Sequence, residues 1–285
     1  MPRRILQCEI DSRFYQLYGE SFIKSFYTHN KGWDLYVSDI GLSDAERTQL
    51  QKYGTVKSYP VNVGHRWNNL TARMYTLQEL ARDGNIVLRI DVDGVINASY
   101  DDLFKEFVES GCDVFGSKLV HSLARRSRSP QLAAEMLGVG LDHHCLHENT
   151  LSACFMLLRG TPVVEQALSW IRDNWERYYA IAKEEEPGLA AVLFKLGAKY
   201  RYIDWTYFWS VKMSPDEFQY VIPSLTPVNS LGRRIHGVHF SFGKYYMLSS
   251  VAANGNEGWR AWNDVVLGHY RSLPWPSAED VNGTY

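Results

Sequence analysis

Two aspartates, Asp91 and Asp93, follow the apolar run "NIVLRI" and are themselves followed by Gly94. Carboxylates spaced this way at the end of a hydrophobic run serve two chemistries. In one, the first carboxylate attacks a phosphoryl group and the second acts as a general acid. In the other, both hold a divalent metal that neutralises a diphosphate. Side chains alternate across a strand, so both carboxylates reach one metal only where the strand stops and the backbone turns, which Gly94 permits.

Other residues with chemical potential cluster further along. His143, His144, Cys145 and His147 lie within "LDHHCLHEN". Adjacent histidines on one short turn seldom converge on a zinc ion without distant ligands, so this stretch reads first as a loop. Arg125, Arg126 and Arg128 form a basic patch in "LARRSRSP", a solvated loop with a capacity for anions. Asp204, Trp205, Tyr207 and Trp209 read as part core, part wall of a cleft.

The elements that must position Asp91 and Asp93 alternate between strand and helix. "RRILQCEI", "GWDLYVSDIG", "TVKSYPV" and "NIVLRI" predict four strands. Between them, "FYQLYGESFIKSFYTHN", "LSDAERTQLQKYG" and "WNNLTARMYTLQELARDG" carry helical spacing. Ser43 and Glu46 form a capping box, and Gly54 is expected to close the same helix in a left-handed conformation. Further on, "YDDLFKEFVES" reads as a helix, "CDVFGS", "SACFMLL" and "KYRYIDW" as strands, and "PVVEQALSWIRDNWERYYAIAK" as one long helix with Pro162 in its first turn. "LAAVLFKLG", ended by Gly197, and "EGWRAWNDVVLGHYRSL" complete the helices. This alternation predicts an α/β fold: an open, mixed, mostly parallel sheet covered by helices, with ligands at the carboxyl ends of the strands.

Composition agrees with a globular protein of ordinary kind. The 285 residues are 45% hydrophobic and carry a net charge of −2, which gives no signal for nucleic acid or an anionic membrane. Aromatic residues reach 14%, enough for a thick core and for a sugar-binding cleft. Cys8, Cys112, Cys145 and Cys154 show no CxxC spacing, and Cys8, Cys112 and Cys154 read as buried free thiols. No apolar run approaches the ~18–20 residues of a membrane span, and the N-terminal residues do not read as a signal peptide, so a cytoplasmic protein is expected. No linker or repeat divides the chain. One domain over residues 1–285 is expected, with a first half that carries the paired aspartates (1–117), a second half (118–250) and a C-terminal helix and tail (251–285).

Several stretches, in order, resemble glycosyltransferase family 8, which includes glycogenin and bacterial lipooligosaccharide galactosyltransferases. "CEIDSRFYQLYGESFIKSFYTHN" is similar to the family's opening, "YVSDIGLSDAERTQL" to its strand, Gly-turn and helix, and "LTARMYTLQEL" to its donor-facing helix. "VLRIDVDGVI" resembles its metal motif, "LSACFMLLRG" its "NAGVMLLN" strand, "EEEPGLAAVLF" its acidic turn, and "HFSFGKYY" its late "HxxGxxKPW" motif.

The resemblance spans residues 5 to about 246. It implies a Rossmann-like GT-A domain and transfer from a nucleotide sugar, a UDP-sugar first, with retention of anomeric configuration. Glu9, Asp11 and Tyr15 take the positions that hold the nucleoside, Thr71 and Arg73 those that face the donor, and Gly243 and Lys244 those beside the diphosphate. Asp91 and Asp93 take the metal positions, for Mn²⁺ or Mg²⁺, with an imidazole from His239 or His236, His239 preferred; a nitrogen ligand suits Mn²⁺. Glu186, then Glu185, matches the carboxylate near the reacting carbon.

The chain departs from the family in three places. Its late motif is one residue shorter between His and Lys and lacks Pro-Trp. Ser152, Ala153 and Cys154 replace Asn-Ala-Gly, and Glu184, Glu185, Glu186 and Pro187 replace Asp-Gln-Asp. Two other readings stand beside the transferase. One is a magnesium-dependent phosphatase of the haloacid-dehalogenase type with Asp91 as nucleophile, although no later GDxxxD run completes its site. The other is a transferase fold that binds a nucleotide sugar or a partner without turnover.

Overall fold

The computed structural model describes residues 2–59, 66–122, 138, 140, 149–182, 186–210, 218–219, 228–229, 232–240 and 257–281. In chain order the strands are β1 (Arg4–Ile10), β2 (Asp34–Asp39), β3 (Gly54–Ser58), β4 (Ile86–Ile90), β5 (Gly94–Ile96), β6 (Val114–Ser122), β7 (Asn149–Arg159), β8 (Tyr200–Ile203), β9 (Trp209–Ser210), β10 (Phe218–Gln219), β11 (Val228–Asn229) and β12 (Gly237–His239). The helices are α1 (Glu20–His29), α2 (Asp44–Gln51), α3 (Arg66–Leu80), α4 (Asp101–Ser110), α5 (Pro162–Asp173), α6 (Trp175–Ala182), α7 (Glu186–Lys195) and α8 (Glu257–Ser272).

A seven-stranded sheet runs in the order β3-β2-β1-β4-β7-β6-β8. Strands β3, β2, β1 and β4 are mutually parallel, β7 runs antiparallel between β4 and β6, and β6 is parallel to β8. The expected mixed, mostly parallel α/β sheet is therefore present. Central strands of such a sheet are buried on both faces, and β1 and β4 are so buried from Ile5 and Ile86 onward. Alternation then divides their residues. Leu6, Cys8, Ile10, Leu88 and Ile90 pack into one core with α1 and α4, while Ile5 and Val87 pack into a second with α3, α5 and α7. A smaller sheet, β5-β12-β9, forms just past the end of β4.

Several elements differ from the sequence-based expectation. The long helix over 162–183 is two helices. Asn174 caps α5, its side-chain amide donating to the Trp170 carbonyl at 3.0 Å, and the chain restarts at Trp175. Asparagine offers the backbone this alternative to continued helix. The helix over 14–30 starts as a single turn, Ser12–Phe14, capped by Asp11, then passes through a π-helical segment, Tyr15–Gly19, before α1. The capping box of α2 forms as expected. Gly54, however, is not a left-handed cap. It opens β3, where a Cβ would lie 2.3 Å from the Leu35 carbonyl oxygen, so the glycine serves close strand approach. Cys8 is buried and burial pushes its thiol well up, but Cys112 and Cys154 are only partly buried.

Candidate metal and substrate site

The odd-numbered residues of β1 and β4 become polar toward the carboxyl end of the sheet. Gln7 and Glu9 on β1 stand beside Arg89 on β4 and Asp91 just after it, all on the face covered by α3. The residues between them remain apolar. A polar cluster this deep needs internal partners, because unpaired buried charge is costly.

Those partners are present. Arg89 is wholly buried; its guanidinium donates to Glu9 at 2.8 Å, to the Asp91 carboxylate and to the Ala153 carbonyl. Arg73 reaches in from α3, with Nε and Nη2 3.3 Å from the Glu9 carboxylate and Nη2 3.2 Å from Asp91. Gln7 donates to Glu9 at 3.0 Å and to Ser38 at 3.2 Å, and Ser38 meets Thr76 at 2.7 Å. Burial alone would raise the Glu9 carboxyl; Arg73 and Arg89 override it and hold Glu9 below the usual range.

The chain leaves β4 at Asp91, turns, and enters β5 at Gly94. Strand β12 pairs antiparallel with β5, placing His239 opposite Gly94, and the Phe240 amide donates to the Asp93 carbonyl at 2.7 Å. A Cβ on Gly94 would meet the Val238 carbonyl oxygen at 2.6 Å and the Phe208 ring at 2.9 Å, so the approach of β12 requires glycine here. As a result His239 Nε2 lies 3.1 Å from Asp93 Oδ1 and 3.5 Å from Asp91 Oδ2. Asp91, Asp93 and His239 each offer one ligand atom, and these atoms all lie within 4.8 Å of one another.

This donor set fits a divalent cation: two hard carboxylates and one imidazole, whose ring nitrogen faces them. Burial opposes charge on His239, but the Asp93 carboxylate and the nearby Cys154 sulfur override it and hold the ring well above its ordinary value. A cation entering the cluster would displace that proton.

His236 is not part of the cluster. Its Nδ1–H donates to the Ser99 carbonyl at 2.9 Å, its ring lies against Tyr100 and Tyr207, and burial holds its pKa below the ordinary value. Of the two histidines, His239 is the one that lies with Asp91 and Asp93.

The other expected residues are distributed as follows. Glu9 and Arg73 lie in the cluster. Asp11 follows the end of β1, its Oδ1 accepting from the Phe14 amide at 2.7 Å; Tyr15 packs against the apolar core of the opposite face, where burial raises its half-buried hydroxyl to about 12. Thr71 sits two residues from Arg73, roughly 200° around the helix, and its hydroxyl accepts from the Trp175 indole at 2.8 Å. Glu186, at the start of α7, accepts from the Ala153 amide at 2.9 Å and from Ser152 at 3.4 Å. Asp204 caps the turn Trp205–Tyr207. Glu185, Gly243, Lys244, the Arg125–Arg126–Arg128 patch and the His143–His147 group lie outside the described residues.

Arg89 is the buried charge of this cluster that motif reading missed. The signal was available: an arginine inside an otherwise apolar, doubly buried strand must have charged partners. The same environment removes support from the phosphatase reading, since the Asp91 carboxylate is engaged by two guanidiniums and converges with His239.

No protein-family model and no curated protein matches this sequence. Solved structures are similar in fold. The galactosyltransferase LgtC, crystallised with donor and acceptor sugar analogs, matches with a TM-score of 0.57 at 15% identity, covering 94% of this chain and 97% of that one. GlyE, a glycosyltransferase of Streptococcus pneumoniae TIGR4, matches with a TM-score of 0.52 at 14% identity, over 97% of this chain and 66% of that one. The bifunctional glycosyltransferase WbbM matches with a TM-score of 0.53 at 13% identity, over 84% of this chain and 46% of that one. The shared architecture is the GT-A fold.

Proposed function

We propose that this protein is a metal-dependent glycosyltransferase that moves a sugar from a nucleotide-sugar donor, a UDP-sugar first, to an acceptor. The observation that carries this reading is the convergence of Asp91, Asp93 and His239 at the carboxyl end of the central strands of a GT-A fold. In this reading the three side chains hold Mn²⁺ or Mg²⁺, with Mn²⁺ favoured by the imidazole. The cation would supply Lewis-acid stabilisation of the diphosphate leaving group.

The chain's own residues prepare that role. Glu9, Asp91 and Asp93 are balanced by Arg73, Arg89 and protonated His239. Exchange of one proton for a divalent cation leaves the cluster with net positive charge, which suits an anionic diphosphate. Asp11 and Tyr15, beside the end of β1, are assigned to the nucleoside. Glu186, anchored on β7, is assigned to the reacting carbon, and retention of configuration is the expected outcome. Lys244, with Gly243, is assigned to the diphosphate.

A thermal-shift panel of nucleoside diphosphates and nucleotide sugars, each with and without Mn²⁺, tests the reading. Ligands that bind the native state raise its melting point by mass action. The expected result is stabilisation by UDP or a UDP-sugar that requires Mn²⁺. Stabilisation by no nucleotide, with turnover of a generic phosphate ester, contradicts it. Slow release of UDP from the stabilising UDP-sugar distinguishes an active transferase from a fold that binds without turnover.

A further inference from the structure

The β6–β7 ladder contains an irregularity beside the metal cluster. Gly116 pairs with Met156 and Lys118 with Leu151, so two steps along β6 correspond to five along β7. Strand β7 thus carries three extra residues between these pairs, and Ser152, Ala153 and Cys154 lie in this bulge. A bulge frees backbone groups from the ladder, and freed groups need other partners when buried.

Two charged side chains supply them for Ala153. Its amide donates to Glu186, and its carbonyl accepts from Arg89 Nη1. The second arm of the same guanidinium, Nη2, binds Asp91 and Glu9. The Asp91 amide in turn donates to the Cys154 carbonyl at 2.9 Å. Asp91 is therefore joined to the bulge twice, through its own backbone and through Arg89.

We propose that Arg89 is a positioning residue whose planar fork locks the metal-binding carboxylate of Asp91 and the β7 bulge into one rigid unit. The metal half of this inference rests on the metal-site reading above. Arginine suits the task because its fork presents several donors in fixed geometry, which a lysine ammonium does not reproduce. Arg89 faces the carboxylate from behind, where it touches Glu9, Asp91 and the Ala153 carbonyl, and acts on a bound cation only through Asp91.

The test measures Mn²⁺ binding by electron paramagnetic resonance and the rate of Cys154 alkylation by mass spectrometry, in wild type and Arg89→Lys. Lysine keeps the buried charge and loses the fork. Loss of an outer partner of a metal ligand typically weakens metal binding about 10–100-fold. That loss is expected here, together with faster alkylation of Cys154 as the bulge loosens. If Arg89→Lys does not fold, Arg89→Met in a Glu9→Gln background removes the buried charges together, and Glu9→Gln alone is its reference. Arg89 variants that bind Mn²⁺ within about twofold of their reference, where an outer-shell loss predicts more, and that alkylate Cys154 at the same rate, overturn the proposal. Absence of Mn²⁺ uptake by wild type defeats the metal reading instead, and the alkylation rate then decides whether Arg89 holds the bulge.

Discussion

The two faces of β1 and β4 use one backbone for opposite purposes. On the face toward α1 and α4, Leu6, Cys8, Ile10, Leu88 and Ile90 are buried among aromatic side chains such as Phe22 and Phe26. On the face toward α3, Gln7, Glu9 and Arg89 are also buried and Asp91 partly so, yet they are joined by hydrogen bonds and ion pairs. The apolar face gains from burial of area. The charged face gains little net stability, since desolvation of ions offsets their attraction. Its return is a fixed array of charge at the end of the sheet. Substitutions on the two faces should therefore separate stability from metal binding.

The largest effect is expected from Asp93→Ala. Loss of one charge-stabilising group of this kind costs roughly 100–1000-fold in rate, and metal-dependent UDP affinity should vanish while the folded sheet persists. Circular dichroism and calorimetry on the same sample check both halves; retained Mn²⁺-dependent affinity removes Asp93 from the metal site. Leu88→Ala on the opposite face should do the reverse. A buried leucine truncated to alanine costs about 2–5 kcal/mol, read in a urea melt, while Mn²⁺ affinity of the protein that remains folded stays near wild type.

Gly94→Ala probes where the faces meet the second sheet. Its Cβ would press on the Val238 carbonyl and the Phe208 ring. Overpacking of this kind costs about 1–3 kcal/mol, and displacement of β12 should weaken Mn²⁺ binding along with stability.

How much of this was legible in the sequence follows from the range of the interactions. The alternation of Leu6, Cys8 and Ile10 with Gln7 and Glu9 is local, and so is the Ser43–Glu46 capping box; both could be read directly. Asp91 and Asp93 were legible because a strand end followed by glycine is a local event. The bulge in β7 was not, because the side chains that satisfy its backbone, Arg89 and Glu186, lie 64 and 33 residues from Ala153. For the same reason Arg89 passed without remark inside the apolar run "NIVLRI". The antiparallel insertion of β7 and the arrival of His239 from β12 are also set by long-range pairing. Gly54 misled because a glycine after a helix resembles a cap, whereas its purpose is contact with the neighbouring strand.

The smallest predicted effect lies far from the site and calibrates the rest. Asp280, in the turn Ala278–Val281, pairs with Lys31 at 2.8 Å and accepts from the Ser277 amide and hydroxyl, and its carboxyl is held down at about 2, the Lys31 hydrogen bond being the largest cause. A carboxyl depressed in the folded state stabilises above its unfolded pKa and loses that contribution as pH falls toward 2. Anchoring of this turn should weaken below the ordinary carboxylate range. Asp280→Asn should reproduce the loosening at neutral pH, at a cost within the ~0–1 kcal/mol of an exposed ion pair. Proteolysis at the C-terminal turn follows it, and Mn²⁺ binding should not change.

The most direct test of the central claim is a calorimetric titration of UDP into the wild-type protein with Mn²⁺ and again with excess chelator. Binding with Mn²⁺ that disappears with chelator is the predicted result, and it makes Asp91, Asp93 and His239 a metal clamp for a diphosphate. UDP binding of equal strength in chelator, or none in either condition, contradicts that assignment.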